Sequence, residues 1–267
     1  MESAKLALIK TAFDSATREM AVNLQQSAIS SIVREAADFS VALTDSQGEV
    51  FAQAECIPIM TAGISLAIEQ MSENIDVSSL KDGDAILMND PYTGGQHLQD
   101  IYLFMPVFHG DKLVGYSAST AHHVDIGGSH AGLSAYATEV YQEGIQIPYV
   151  RFSIERDFMA KDGFVRRMIE ANVRTPAAVT GDLKAQFSAN MIGATRLIEI
   201  CNRFGIDECL NAMEALKDYA EERVTFGHRK ASRWRVLRFG NVGHHSLGWR
   251  HCRNSRCCSN QRNRHHR

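Results

Sequence analysis

The chain has 267 residues, 45% of them hydrophobic, and its 31 Asp and Glu against 28 Lys and Arg give a formal net charge of −3. That composition excludes a disordered or low-complexity chain and is long enough for one large domain or two small ones. No apolar run reaches membrane-spanning length, and the opening MESAKLALIKTAFDSATREM is charged throughout, so the expectation is a soluble cytoplasmic protein with no signal peptide and no membrane partner.

In chain order, residues 5–36 carry apolar side chains at spacings of three and four, as at Leu6, Ile9, Ala12 and Phe13, with no proline, which predicts helix. Phe39–Leu43 and Val50–Ala54 read as strands around the hairpin turn Asp45-Ser46-Gln47-Gly48. Met60–Met71 reads as a helix weakened by Gly63. Asp82-Gly83-Asp84 is a solvated turn into a strand, Ala85–Met88. Ile101–Phe108 and Leu113–Ser119 are strand-like runs around His109-Gly110-Asp111-Lys112, a second hairpin. Ile145–Ile154 reads as a strand in which Pro148 marks an edge or a bulge. From Val165 the pattern is helical: Leu183, Phe187, Met191, Ile192, Ala194 and Ile198 form a buried stripe, and Met191 and Met213 are read as packing. Gly205 follows the helix end at Phe204 as a C-cap does, and a last helix runs from about Asp207 to Val224. These elements do not alternate as βαβ units. The expected class is therefore α+β, with mixed or antiparallel strands, hairpins carrying the His/Asp motifs and a helical C-terminal part.

Chemistry concentrates in NDPYTGGQHLQD and AHHVDIGG, which place His97, Asp100, His122, His123 and Asp125 within 40 residues. With the turn at Gly110-Asp111, His109 opposes Lys112, Asp100 falls opposite Ala121 beside His122, and His97 falls opposite Val124. A bulge would move the register by one residue and keep the two halves together. Imidazole and carboxylate are ligands for Mn, Zn or Fe, and two His with one Asp leave coordination positions open, as a catalytic metal requires. The bland alternative is a polar turn cluster, because Asn, Asp and Pro favour turns for local reasons. Glu139 and Glu143 are acid–base candidates set against a surface role, and Arg174 and Lys184 are read as solvated charge. Cys56, Cys201 and Cys209 are scattered and read as buried or inert.

Taken together, VALTDSQGEVFAQAECIPIM, KDGDAILMNDPYTGGQHLQD, AHHVDIGG, ATEVYQEGIQIP and GDLKAQFSANMIGATRL resemble, in order, the hydantoinase B/5-oxoprolinase family of B-type subunits. That family includes the alpha subunits of acetone and acetophenone carboxylases. The resemblance covers residues 1–224. It implies a divalent metal held by His97, Asp100 and His122, with His123 as the alternative ligand and Asp125 as a residue orienting an imidazole. It also implies ATP and Mg on a separate A-type partner subunit, in keeping with the lack of a GxxxxGK[ST] loop here. The implied activity is ATP-dependent opening of a cyclic amide such as a hydantoin or 5-oxoproline. The alternatives are an ATP-dependent ketone carboxylase and a non-catalytic truncated remnant.

Beyond that stretch the composition changes. Residues 223–267 hold 12 of the 28 Lys and Arg, 6 of the 11 His and no acid, which leaves residues 1–222 with 31 acids against 16 bases. A basic nucleic-acid arm using Trp234 and Trp249, or a zinc module using Cys252, Cys257 and Cys258, would each need better spacing. The expectation is an atypical tail over 225–267, out of frame or disordered, with nucleic acid not a partner.

Overall fold

The structure, a computed structural model, describes residues 3–231, with side chains through residue 225. The expectations for Trp234, Trp249, Cys252, Cys257 and Cys258 fall outside the described residues. Met1–Val224 form one compact unit. Helix α1 (Ser3–Ser27) buries Ile9, Phe13, Met20 and Leu24, the three-and-four spacing of an amphipathic helix. A single turn, α2 (Ser31–Arg34), follows, its N-terminus capped by the Ser30 side chain. Six strands come next, with one helix among them: β1 (Phe39–Asp45), β2 (Val50–Gln53), α3 (Pro58–Asn74), β3 (Asp84–Met88), β4 (Asp100–His109), β5 (Lys112–His122) and β6 (Val150–Ser153). The chain then turns helical through α4 (Phe164–Asn172), α5 (Pro176–Phe204) and α6 (Ile206–Ala231). None of the described helices is long and apolar enough to cross a membrane.

The strands form one sheet in the order β2-β1-β5-β4-β3-β6. Every neighbouring pair is antiparallel. Alternation along each strand sends side chains to two different helical layers. Ile86, Met88, Tyr102, Phe104, Tyr116 and Ala118 face α3, meeting Ile64, Ala67, Ile68 and Met71. On the other face, Phe39, Val41 and Leu43 pack under α1, while Ala85, Leu87, Ile101 and Leu103 pack under α4 and α5. The arrangement is α+β, with the helices segregated around an antiparallel sheet.

Four expectations from sequence need adjustment. The strand expected over Ile145–Ile154 pairs only from Val150, because Pro148 has no amide hydrogen and Tyr149 sits at φ 36°. The preceding backbone is held instead by Asn89, whose side chain donates to Ile145 O and accepts from Ile147 N. β6 is nevertheless an edge strand, as the proline suggested. Met191 is 51% exposed, since α5 turns Asn190 and Gly193 inward in its place. Gly63, which weakened the sequence case for α3, is there for space: a Cβ would run into Tyr102 Oη. The last helix continues past Val224 to Ala231. Lys217 on α6 reaches the β1–β2 hairpin, 2.5 Å from Asp45 Oδ2 and paired also with Glu49.

Candidate metal centre

The β4–β5 hairpin builds one wall of the site. His109 pairs with Lys112 at its tip, and a register shift at Val107/Phe108 leaves Val114 as an extra residue. Beyond this bulge Asp100 pairs directly with His122 instead of Ala121. Both side chains then lie on the α3 face of the sheet, two pairs beyond Tyr102 and Thr120. Gly115, next to the bulge, lies where a Cβ would strike the Thr44 carbonyl oxygen of β1, so this close strand approach requires glycine.

The loop Asn89–Gln99 supplies the third residue. Asp90 caps a turn at Pro91–Thr93 by accepting from Tyr92 N at 2.9 Å, and Gly94 takes φ 116° to reverse the chain. Asn89 Nδ2 donates to Leu98 O at 2.7 Å and closes the loop at its base. Tyr149 Oη holds Thr93 O at 2.5 Å, and its burial pushes the phenol up to about 12, so it remains a donor. Asp100 N donates to His97 O at 3.0 Å, which folds the imidazole back over its own strand.

His97, Asp100 and His122 thus converge, with their ligand atoms all within 4.8 Å of one another. Asp100 Oδ2 lies 3.4 Å from His97 Nδ1, and Asp100 Oδ1 lies 3.2 Å from His122 Nδ1. The two rings meet edge-on, 4.8 Å between centroids at 89°. Asp100 is 1% exposed, and the buried Nδ1 of His97 has no hydrogen-bond partner. Lone pairs aimed at one another in a buried site repel unless something positive lies between them. Tetrahedral ligands about 2.0–2.2 Å from a zinc-like ion stand about 3.4 Å apart. The donor set, its spacing and the orphaned nitrogen all fit a divalent cation.

The other two sequence candidates lie elsewhere. His123 follows His122, so its side chain turns to the opposite face of the sheet, against α5. There it is fully buried, with Nε2 3.0 Å from Gln186 Oε1. The Gln186 amide nitrogen donates to Ile101 O and Ser119 Oγ, so its oxygen is left to accept, and Nε2 of His123 carries the hydrogen. Burial lowers the His123 pKa and keeps the ring neutral. Asp125, also fully buried, accepts from Gly127 N at 3.0 Å, from Thr175 N at 3.0 Å and from Arg174 N. It ties the second motif to the start of α5, and Arg174, read from sequence as solvated, is its ion-pair partner at 3.4 Å. Glu139 is exposed and Glu143 half-buried, and neither belongs to the three-residue group.

Sequence reasoning passed over the residues that frame the site. Gln99 is completely buried and donates to Gly132 O and Glu143 O, holding the 132–143 loop against the metal loop. Asp182, Gln186 and Asn190, buried at i, i+4 and i+8 on α5, form a polar stripe inside an otherwise apolar face. That spacing was the available signal: polar side chains on the inward face of a helix must find partners.

Comparison with known proteins gives the family and the fold. The family Hydantoinase B/oxoprolinase matches residues 2–236, running past Val224. The caprolactamase subunit beta of Pseudomonas jessenii is 33% identical over 220 residues, covering 82% of this chain and 37% of that protein. A 5-oxoprolinase of Dictyostelium discoideum is 31% identical over 82% of this chain and 17% of its own length. The solved structure of the ATP-dependent caprolactamase from Pseudomonas jessenii superposes with a TM-score of 0.75 at 32% identity, over 84% of this chain and 38% of that one. Acetone carboxylase, in its nucleotide-free structure, shares the fold with a TM-score of 0.71 at 19% identity, over 79% of this chain and 28% of that one. This chain therefore spans less than two fifths of each of these proteins. With the family matched over most of its length, the chain belongs to the hydantoinase B/oxoprolinase family.

Proposed function

We propose that this chain is part of a B-type subunit of a cytoplasmic, ATP-dependent cyclic-amide hydrolase, acting with an A-type partner that carries ATP and Mg. The observation that carries the reading is the buried convergence of His97, Asp100 and His122 with an unpartnered Nδ1 at its centre. These three residues would hold a divalent cation of the Mn, Zn or Fe class. Such an ion supplies Lewis acidity toward a substrate carbonyl. Asp100 and His122, on paired strands, fix the inner side of the site. The His97 side chain, 35% exposed on its loop, marks the side from which a lactam, hydantoin or 5-oxoproline ring would approach. His123 and Asp125 serve as supports: the neutral His123 ring pins the end of β5 to α5, and Asp125 pins the following loop to the same helix.

An ATP-dependent ketone carboxylase would share this centre. Relatives named for cyclic amides stand at 31–33% identity, whereas the likeness to acetone carboxylase carries the fold alone, and this favours the hydrolase. Elemental analysis of the purified chain and of its His97→Ala and His122→Ala variants tests the metal site. The expected outcome is near-stoichiometric transition metal in the parent and its loss in both variants. A folded parent without metal would overturn the site and favour a non-catalytic remnant. Assays with the A-type partner, ATP, and 5-oxoproline, hydantoin or acetone plus bicarbonate then separate hydrolase from carboxylase.

A further inference from the structure

Cys201 and Cys209 are buried in the core beside α1, at 1% and 0% exposure. They lie on either side of the joint between α5 and α6. Cys201 is in the last turn of α5, Gly205 closes that helix at φ 93°, and Cys209 is in the first turns of α6. The joint is held tightly: Gly205 N donates to Cys201 O at 2.9 Å, and Cys209 N donates to Gly205 O at 3.1 Å. Cys209 Sγ points back toward α5, 3.6 Å from the carbonyl oxygen of Ile200, the residue that precedes Cys201. The neighbouring Cys209 sulfur and burial push the Cys201 thiol up, while Cys201 and the Lys5 charge bring Cys209 down. Cys209 is therefore the sulfur that ionises first. The metal reading uses neither thiol, and the third described cysteine, Cys56, is only partly buried.

The geometry points to Cys201 and Cys209 as a dithiol that closes to an intramolecular disulfide under peroxide, joining the end of α5 to the start of α6. The Cys209 thiolate attacks one oxygen of hydrogen peroxide, the O–O bond breaks, and hydroxide leaves with a proton as water. Cys201 then loses its proton and attacks the resulting sulfenic sulfur. The S–O bond breaks, a second water leaves, and the S–S bond forms. Two thiols are oxidised by two electrons in all, and one peroxide is reduced to two waters. Opening of the short α5–α6 joint admits an oxidant of this size. A buried thiol without a neighbour would instead continue to sulfinic acid.

Trypsin separates the two cysteines, because Arg203 lies between them. The full chain is treated with hydrogen peroxide, alkylated and digested without reductant, and its peptides are analysed by mass spectrometry. The expected product is Leu197–Arg203 joined to Phe204–Lys217, lighter by two hydrogens than the two free peptides together and separated again by dithiothreitol. Cys201→Ser should abolish the linked species and leave Cys209 as sulfinic acid. Recovery of the two peptides unlinked from the oxidised parent would overturn the proposal. So would linkage of either thiol to Cys252, Cys257 or Cys258. Should the serine variant fail to fold, the peptide map of the parent alone is enough to support or overturn the disulfide.

Discussion

Adjacent histidines take opposite roles here because a strand alternates its side chains. His122 joins Asp100 on one face of the sheet, and His123 is locked to Gln186 on the other. Neighbours in sequence are thus separated by a whole layer of backbone, and the choice between them rests on register, which residue types do not specify. The supporting role of Gln186 can be tested. Gln186→Leu leaves the buried Nε2–H of His123 and the carbonyl of Ile101 without this partner, so stability should fall by about 1–3 kcal/mol. Urea denaturation measures the loss. Because the metal-binding side chains lie on the other face, the folded variant should retain metal. If it loses metal without losing stability, the assignment of Gln186 as a support is wrong.

At the level of elements, the β4–β5 hairpin and its neighbour β1 set the site. The bulge at Val114 brings Asp100 into direct register with His122, and Gly115 admits the Thr44 carbonyl of β1 at the same place. Gly115→Ala forces the strands apart at that crossing. The expected cost is about 1–3 kcal/mol of stability, with weaker metal retention because the far end of β5 carries His122. Thermal denaturation and metal content read the two effects. An unchanged melting midpoint would show that β1 yields at no cost. The hairpin itself was legible in the sequence, since a Gly-containing break separates two β-rich runs. The bulge was not, because Val114 has no local signature and its extrusion shows only in the pairing of β5 with β4.

On the scale of the molecule, the three apolar clusters of buried side chains among the described residues lie between Ile9 and Leu216, inside the compact unit that ends at Val224. A chain ended at Val224 should therefore unfold in one cooperative transition and keep its metal, as checked by circular dichroism and elemental analysis. A broad, non-cooperative transition would mean that these clusters need surface from elsewhere to complete them. The sheet has helices on both faces, and the sites of interest fall at one end of its central pair of strands. Loops from distant parts of the chain are gathered there by Asn89 and Gln99, two buried amides that bond backbone 9 to 58 residues away.

The sequence by itself determined the α+β class, the two hairpins, the long C-terminal helices and the family. Apolar periodicity and turn chemistry are local properties, and the motifs recur in fixed order along the chain. It also placed His97, Asp100 and the His122-His123 pair at one end of a hairpin. Only the tertiary structure decided which histidine meets Asp100, why Gly63 and Gly115 carry no side chain, and that α5 presents polar residues inward. Those outcomes depend on strand register, on the packing of α3 over Tyr102 and on hydrogen bonds closed between distant segments. A buried polar group must find its partner wherever the fold has placed it, and sequence spacing does not encode that place.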